Sequence, residues 1–346
     1  MTSGWRIRKN NFFKILLLAT IVFVGFAMQA TRAEVAQSTD GDLKISMLNI
    51  GHGDALLIQT KEQTILIDTA DSKKSRALLK ELEKFSVTKI DKLILTHPHF
   101  DHIGNAKTLI NPSDKELADN PYLKKISVAA VYDNGVASGS PLYKSYNNAT
   151  VAKKIPCTAL KAGDTLDFGG GVTFKVLFPT SEFVAKVNDL KTEQRKKQYK
   201  INNSSIVGRL TYKNFSMMFT GDCEKESEAK ILAANNVADL QCDVLKSGHH
   251  GIRTSSTKNF VKAISPDCVL ISAGNRKKHN VAVGPPYLEV LQNYLAEGVD
   301  KNHIYCTRWN GTITVVSDGK DFSVTPERKE VWLDKWMAQK QKEAKK

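Results

Sequence analysis

From Leu43 onward the chain alternates short apolar runs with polar, glycine-containing breaks. Leu43 to Ile50, Ala55 to Gln59 and Thr64 to Ile67 have the length and β-branched content of strands. Residues 73–84 switch to a helical period, with Leu78, Leu79 and Leu82 on one face. Leu93-Ile94-Leu95 reads as a buried strand; a short helix after Ile103 and a polar loop to Asn120-Pro121 follow. Further strands are predicted at Val128 to Tyr132, Val172 to Phe178, Asp243 to Leu245, Cys268 to Ser272, His303 to Thr307 and Thr312 to Ser317. Ser205 to Tyr212 and Phe215 to Phe219 form a hairpin turned at Lys213-Asn214, and helices are expected at 141–153, 224–235, 257–264 and 287–295. The lysine-rich stretch Lys186 to Lys200 reads as an exposed helix or loop. From Glu327 a basic, helix-compatible tail puts Trp332 and Trp336 on one face, where they are expected to pack on the domain. No repeat and no internal boundary divides the body.

The first 33 residues do not fit this pattern. Arg6, Arg8, Lys9 and Lys14 precede an uncharged apolar run, Ile15 to Met28. That run is short for a membrane span, which needs about 20 apolar residues, and suits the core of a signal peptide. Cleavage after Ala30 or Ala33, or retention as an uncleaved anchor, both place the body outside the cytoplasmic membrane. The expected organisation is a signal peptide or anchor at 1–33, a linker at 34–42, one domain at 43–325 and a basic tail at 326–346.

Composition is that of a folded chain, 41% hydrophobic and 25% charged. The five cysteines are scattered and show neither a disulfide framework nor metal-ligand spacing; Cys242 and Cys268 lie in apolar runs and are expected in the core. The formal net charge is +14, and removing residues 1–33 leaves 45 basic against 36 acidic residues, or +9. Such a balance favours polyanionic partners as much as it favours plain solubility.

The chemistry concentrates in Leu95-Thr96-His97-Pro98-His99-Phe100-Asp101-His102-Ile103-Gly104. Three imidazoles and a carboxylate within six residues at a strand mouth suit a divalent metal such as zinc, manganese or iron. The H-x-H-x-D-H spacing is that of the metallo-β-lactamase superfamily. Gly51-His52-Gly53-Asp54-Ala55, Leu66-Ile67-Asp68, Asn202-Asn203-Ser204-Ser205, Phe219-Thr220-Gly221-Asp222 and Asp243 to Gly251 extend the resemblance. Over roughly residues 43–318 the chain resembles the metallo-β-lactamase-like domain of the ComEC DNA-uptake proteins and their secreted stand-alone relatives.

The resemblance implies an α/β fold, a single-domain four-layer αββα sandwich with the site at one edge of its two sheets. It implies two divalent ions, zinc or manganese, which can activate a shared water. His97 and His99 would hold one ion, Asp101 and His102 the other, with Asp222 bridging and His249 or His250 completing the set. Asp101 and His250 are the expected catalytic residues. Asp68 is expected to orient a ligating imidazole, and Asp54 either to do the same or to cap a turn. Asn203, Ser204, Lys246 and Arg253 are candidate substrate contacts. Asn202 or Asn203 stands where the superfamily usually has a further histidine, and His52 where the branch usually has glutamine. His279 is displaced from the branch's late Asn and His-Pro pattern that begins at Asn275, and Arg253 replaces a common serine.

Three functions fit. The first is an extracytoplasmic, metal-dependent phosphodiesterase or nuclease acting on DNA. The second is a hydrolase of cell-wall or lipid phosphodiesters, as in the phosphorylcholine esterases. An aromatic cage would favour that reading, and Tyr132, Tyr143, Tyr146 and Tyr287 could supply one. The third is a non-catalytic DNA-binding protein, possessing the fold without turnover.

Overall fold

The structure, a computed structural model, describes residues 5–7, 42–190, 201–274, 276–278 and 281–344. Apart from 5–7 and Asp42, the expected signal segment and linker lie outside the described residues, as do 191–200 of the lysine-rich stretch, Asn275 and His279.

Two sheets dominate. The first contains, in spatial order, strands 5–7, Phe322–Pro326, Ile313–Ser317, Leu43–Met47, Leu56–Gln59, Thr64–Ile67, Lys92–Ile94, Val131–Asp133 and Cys157–Ala159. The second runs Thr165–Asp167, Val172–Phe178, Val207–Tyr212, Phe215–Phe219, Val244–Lys246, Cys268–Ile271 and Ile304–Cys306. Side chains on a strand alternate between faces, and here both faces are buried. Ile65 and Ile67 point between the sheets, while Leu66 joins a cluster under helix Ser75–Lys84, which contributes Leu78, Leu79 and Leu82. In the second sheet Met217, Val244 and Leu270 point inward. Their neighbours Met218, Leu245, Val269 and Ile271 face helices Lys225–Ala234, Lys258–Ile264 and Leu288–Ala296. The layers are therefore helix, sheet, sheet, helix, the αββα order.

Most elements match the hydrophobic pattern. Phe215–Phe219, Val172–Phe178 and Pro141–Lys153 have the predicted limits. The run predicted as one strand at Val128 to Tyr132 is broken in two: Ser127–Val128 pairs with Lys89–Ile90 in a separate ribbon, and Val131–Asp133 joins the first sheet. Strands Cys157–Ala159, Thr165–Asp167 and Phe322–Pro326 escaped the pattern because they are short and largely exposed or intermediate. Residues 186–189 close helix Ser181–Asp189. All five cysteines are free, four of them buried, including Cys242 and Cys268. Trp332 and Trp336 pack on the second sheet's helical layer, and Trp332 stacks on Trp309 at 4.3 Å. Among the described residues no helix is long and apolar enough to cross a membrane.

Candidate metal centre

Parallel pairing brings several strand ends to one edge. Thr64–Ile67 and Lys92–Ile94 run parallel, so Asp68 and the histidine-rich loop emerge together. Phe215–Phe219, Val244–Lys246 and Cys268–Ile271 also run parallel, which gathers Asp222, His249, His250 and Ser272. The carboxyl ends of parallel strands are where open sheets place ligands. Backbone at this edge is unusual: Asp68, Gly221, His249 and His250 have φ of 61°, 49°, 45° and 57°. Non-glycine residues held there point to strain maintained at a site.

Asp222 lies at the centre. Its Oδ2 is 3.2 Å from His102 Nε2, 3.5 Å from His250 Nε2, 3.6 Å from His249 Nε2 and 4.0 Å from His97 Nε2. His250 Nε2 also lies 3.5 Å from Asp101 Oδ2. Ligand atoms of His97, His102 and Asp222 form one compact group, and those of His52, Asp101 and His250 another, each within 4.8 Å. His97, His102, His250 and Asp222 are buried, whereas His99 and His249 are half-exposed. His99 Nδ1 is 3.0 Å from His97 Nε2.

The surroundings fix which imidazole nitrogen faces the centre. His102 Nδ1 is 2.7 Å from Asp68 Oδ2, and Asp68 in turn accepts from the Thr96 amide and hydroxyl at 2.8 and 2.7 Å. His250 Nδ1 lies 3.0 Å from the Ser272 carbonyl, and His97 Nδ1 3.2 Å from Ser205 Oγ. With each Nδ1 engaged by an outer partner, each Nε2 turns inward toward the centre, the arrangement ligating histidines use. His102 Nε2, His250 Nε2 and Asp222 Oδ1 are buried and make no hydrogen bond. Buried polar atoms left in that state are costly, and divalent cations would satisfy them. The donor set, imidazole nitrogen with carboxylate oxygen, suits a divalent metal ion.

Charge follows the same logic. Burial opposes ionisation of Asp222, yet His102 and His250 hold its carboxyl well below the usual range. Asp101 is likewise held low against burial by the imidazoles of His250 and His52 that face it. Burial, then His102 and His99, push His97 well below the ordinary histidine range, so it is a neutral imidazole ready to coordinate. Asp54 would be raised by burial, but Lys246 and His250 lower it to about 2.

Several expected roles change. His99 Nδ1 lies beside His97 Nε2, while His102 faces Asp222 and Asp101 faces His250. Lys246, expected to touch substrate, is buried; its ammonium pairs with Asp54 and donates to the Gly221 carbonyl at 2.7 Å. Asn203 is also buried and accepts from the Glu224 and Ser227 amides at 3.2 and 3.3 Å, bracing the start of helix Lys225–Ala234. Ser204 donates to the Ile201 carbonyl at 2.6 Å and accepts from Asn134 at 2.9 Å. Neither faces solvent. Arg253 is exposed and lies over the Tyr287 ring at 4.7 Å. Asp54 reaches His250 Nδ1 at 3.4 Å as well as Lys246, so it braces the site instead of capping a turn.

Of the four tyrosines proposed for an aromatic cage, Tyr143 and Tyr146 meet edge-on at 5.4 Å. Tyr146 is buried and donates to Asp133 at 2.7 Å, and Arg253 covers Tyr287. The sequence reading missed Glu224, buried and 3.3 Å from His249 Nδ1, with Asn202 donating to it at 3.1 Å. An acid two residues past Asp222 in a buried run was the available signal. Ser272 acts through its carbonyl and leaves no signal in sequence.

Comparison with known proteins agrees with this architecture. The family described as "Metallo-beta-lactamase superfamily" matches residues 48–274. ComE operon protein 3 of Bacillus subtilis (strain 168) is 27% identical over 294 residues, covering 80% of this chain and 33% of that protein. Competence protein ComA of Neisseria gonorrhoeae is 23% identical over 264 residues, covering 75% and 31%. The chain thus spans about a third of the length of these curated relatives. Among solved structures, the metallo-beta-lactamase fold protein YhfI from Bacillus subtilis aligns with TM-score 0.48 at 14% identity, covering 79% of this chain and all of that one.

Proposed function

The chain belongs to the metallo-beta-lactamase superfamily, and from that premise we propose that it is a metal-dependent phosphodiesterase acting on DNA outside the cytoplasmic membrane. The observation that carries this reading is the convergence of His97, His102 and His250 on the Asp222 carboxylate, with Asp101 beside His250. When bound, two divalent cations supply a nucleophile available at neutral pH and neutralise charge on phosphoryl oxygens. The chain's own residues do the rest. Asp68, Ser205 and Ser272 orient the imidazoles through their Nδ1 atoms. Asp222 joins the two donor groups. His249 is partly exposed and lies 3.3 Å from Glu224.

DNA is favoured by three features. The chain carries a net charge of +14, which suits a polyanion. Phe100, 52% exposed within the metal loop, offers an open aromatic face, and bases stack on such platforms. One relative is named a competence protein, a process in which DNA is taken up.

The test is hydrolysis of bis-(p-nitrophenyl) phosphate and of single- and double-stranded DNA with manganese or zinc. Cleavage of both classes supports the reading, and cleavage of the small diester alone points to a wall or lipid substrate. With metal bound and neither cleaved, the phosphodiesterase reading is wrong. The Asp101→Ala/Asp222→Ala double variant should lose turnover and keep most of its polyanion binding. Surviving turnover would remove these residues from the mechanism.

A further inference from the structure

One imidazole at this edge has no part in the expected ligand set. His52 sits between Gly51 and Gly53, whose φ values of +85° and +110° belong to the region that favours glycine. The loop is pinned on both sides. Asp54 donates its amide to the Asp101 carbonyl at 3.1 Å, and Ser272 donates its hydroxyl to the Gly53 carbonyl at 2.6 Å. A Cβ on Gly53 would fall 2.4 Å from the Asp101 carbonyl oxygen, and one on Gly274 would fall 2.4 Å from the His52 amide. The backbone of residue 52 is therefore wedged between the histidine-rich loop and the end of strand Cys268–Ile271.

That wedge aims the ring. His52 Nε2 lies 3.3 Å from Asp101 Oδ2, and its ring centroid lies 4.6 Å from that of His250. Asp101 Oδ2 is in turn 3.5 Å from His250 Nε2. Metal–donor bonds of about 2.0–2.1 Å in tetrahedral geometry set neighbouring donors roughly 3.3 Å apart. The two Asp101 separations match that spacing. We propose that His52 is a direct ligand of the divalent ion held by Asp101 and His250, adding a third protein donor besides Asp222. This rests on the metal centre of the proposed function. The competing account is that His52 only hydrogen-bonds Asp101.

Glutamine separates the two accounts, since its amide can still donate to Asp101 but is a poor metal ligand. The full chain and its His52→Gln and His52→Ala variants are stripped with chelator, compared by thermal melting and titrated with zinc against a chromophoric chelator. The unaltered chain should take two ions. Both variants should melt like it when metal-free, and should hold one ion tightly and the second more than roughly 100-fold more weakly, beyond the usual cost of losing a residue that merely orients a ligand. Wild-type affinity for both ions in His52→Gln overturns the proposal. Should the variants melt early, cobalt loading of the unaltered chain still decides. A directly bound His52 gives a paramagnetically shifted, exchangeable imidazole N–H, and an unshifted His52 ring rejects the assignment. If the unaltered chain binds no ion, the metal-centre reading itself fails, a result distinct from any difference among variants.

Discussion

At the scale of single residues, the site depends on carboxylates that never face solvent. Asp68 is fully buried and orients His102 through a 2.7 Å contact. Asp68→Ala should lower metal affinity about 10–100-fold, the usual cost of losing such a partner, measured by chelator competition; unchanged affinity would show that His102 does not need it. Glu228 is a different buried acid. It accepts from the Ser256 and Thr257 amides at the start of helix Lys258–Ile264, and burial raises it from 4.5 to about 7 despite those bonds. Its folded form binds a proton more readily than the unfolded form does. Its contribution is fully present below about pH 4.5 and is lost as pH rises through 7, an effect of about 3 kcal/mol. In Glu228→Gln that component should vanish, so urea unfolding at pH 5 and pH 8 should differ less than in the unaltered chain. Equal pH slopes in the two proteins would refute the assignment.

Among the elements, the last helix is the most informative. Leu333–Ala344 follows the final strand and docks by two tryptophans. Trp336 is 3% exposed, donates its indole N–H to the Pro286 carbonyl at 2.7 Å and meets the Trp309 ring edge-on at 5.1 Å. Arg308 lies over the Trp336 ring at 4.5 Å. Truncating a buried aromatic of this size costs about 3–5 kcal/mol. Trp336→Ala should therefore lower the unfolding free energy by that order, read from a denaturant titration. A change below 1 kcal/mol would mean that the helix contributes little to the fold. Pro286 also contacts Gly251 beside the metal loop, so the tail's anchor and the site share a neighbour.

For the whole molecule, the relevant quantity is the balance of 50 basic against 36 acidic residues. If DNA is the substrate, phosphate contacts release counterions, and affinity should fall steeply between 50 and 200 mM salt, by about 10³ or more for six or more contacts. The metal-free chain is the right material, because binding can then be measured without cleavage. A flat salt dependence would turn attention to an uncharged substrate. Chelation should abolish hydrolysis while leaving this binding largely in place.

The sequence by itself determined the layers and the chemistry. Two-residue alternation in runs such as Ile65-Leu66-Ile67 fixed two-sided burial, because adjacent side chains must leave a strand in opposite directions. The spacing of His97, His99, Asp101 and His102 announced a metal centre because few structural roles need those residues so close. Tertiary structure alone decided who faces whom. His102 and Asp222 are far apart in the chain and meet only through strand order. Asn203, Ser204 and Lys246 look like polar site residues in sequence, and only packing shows that their hydrogen bonds are spent on backbone and on Asp54. His52 reads in sequence as a replacement for glutamine near the site, and only the contact of the Gly53 and Asp101 backbones shows where its ring is aimed. Local pattern reports what each residue prefers; the partner of a buried polar group is set by whichever distant strand end arrives beside it.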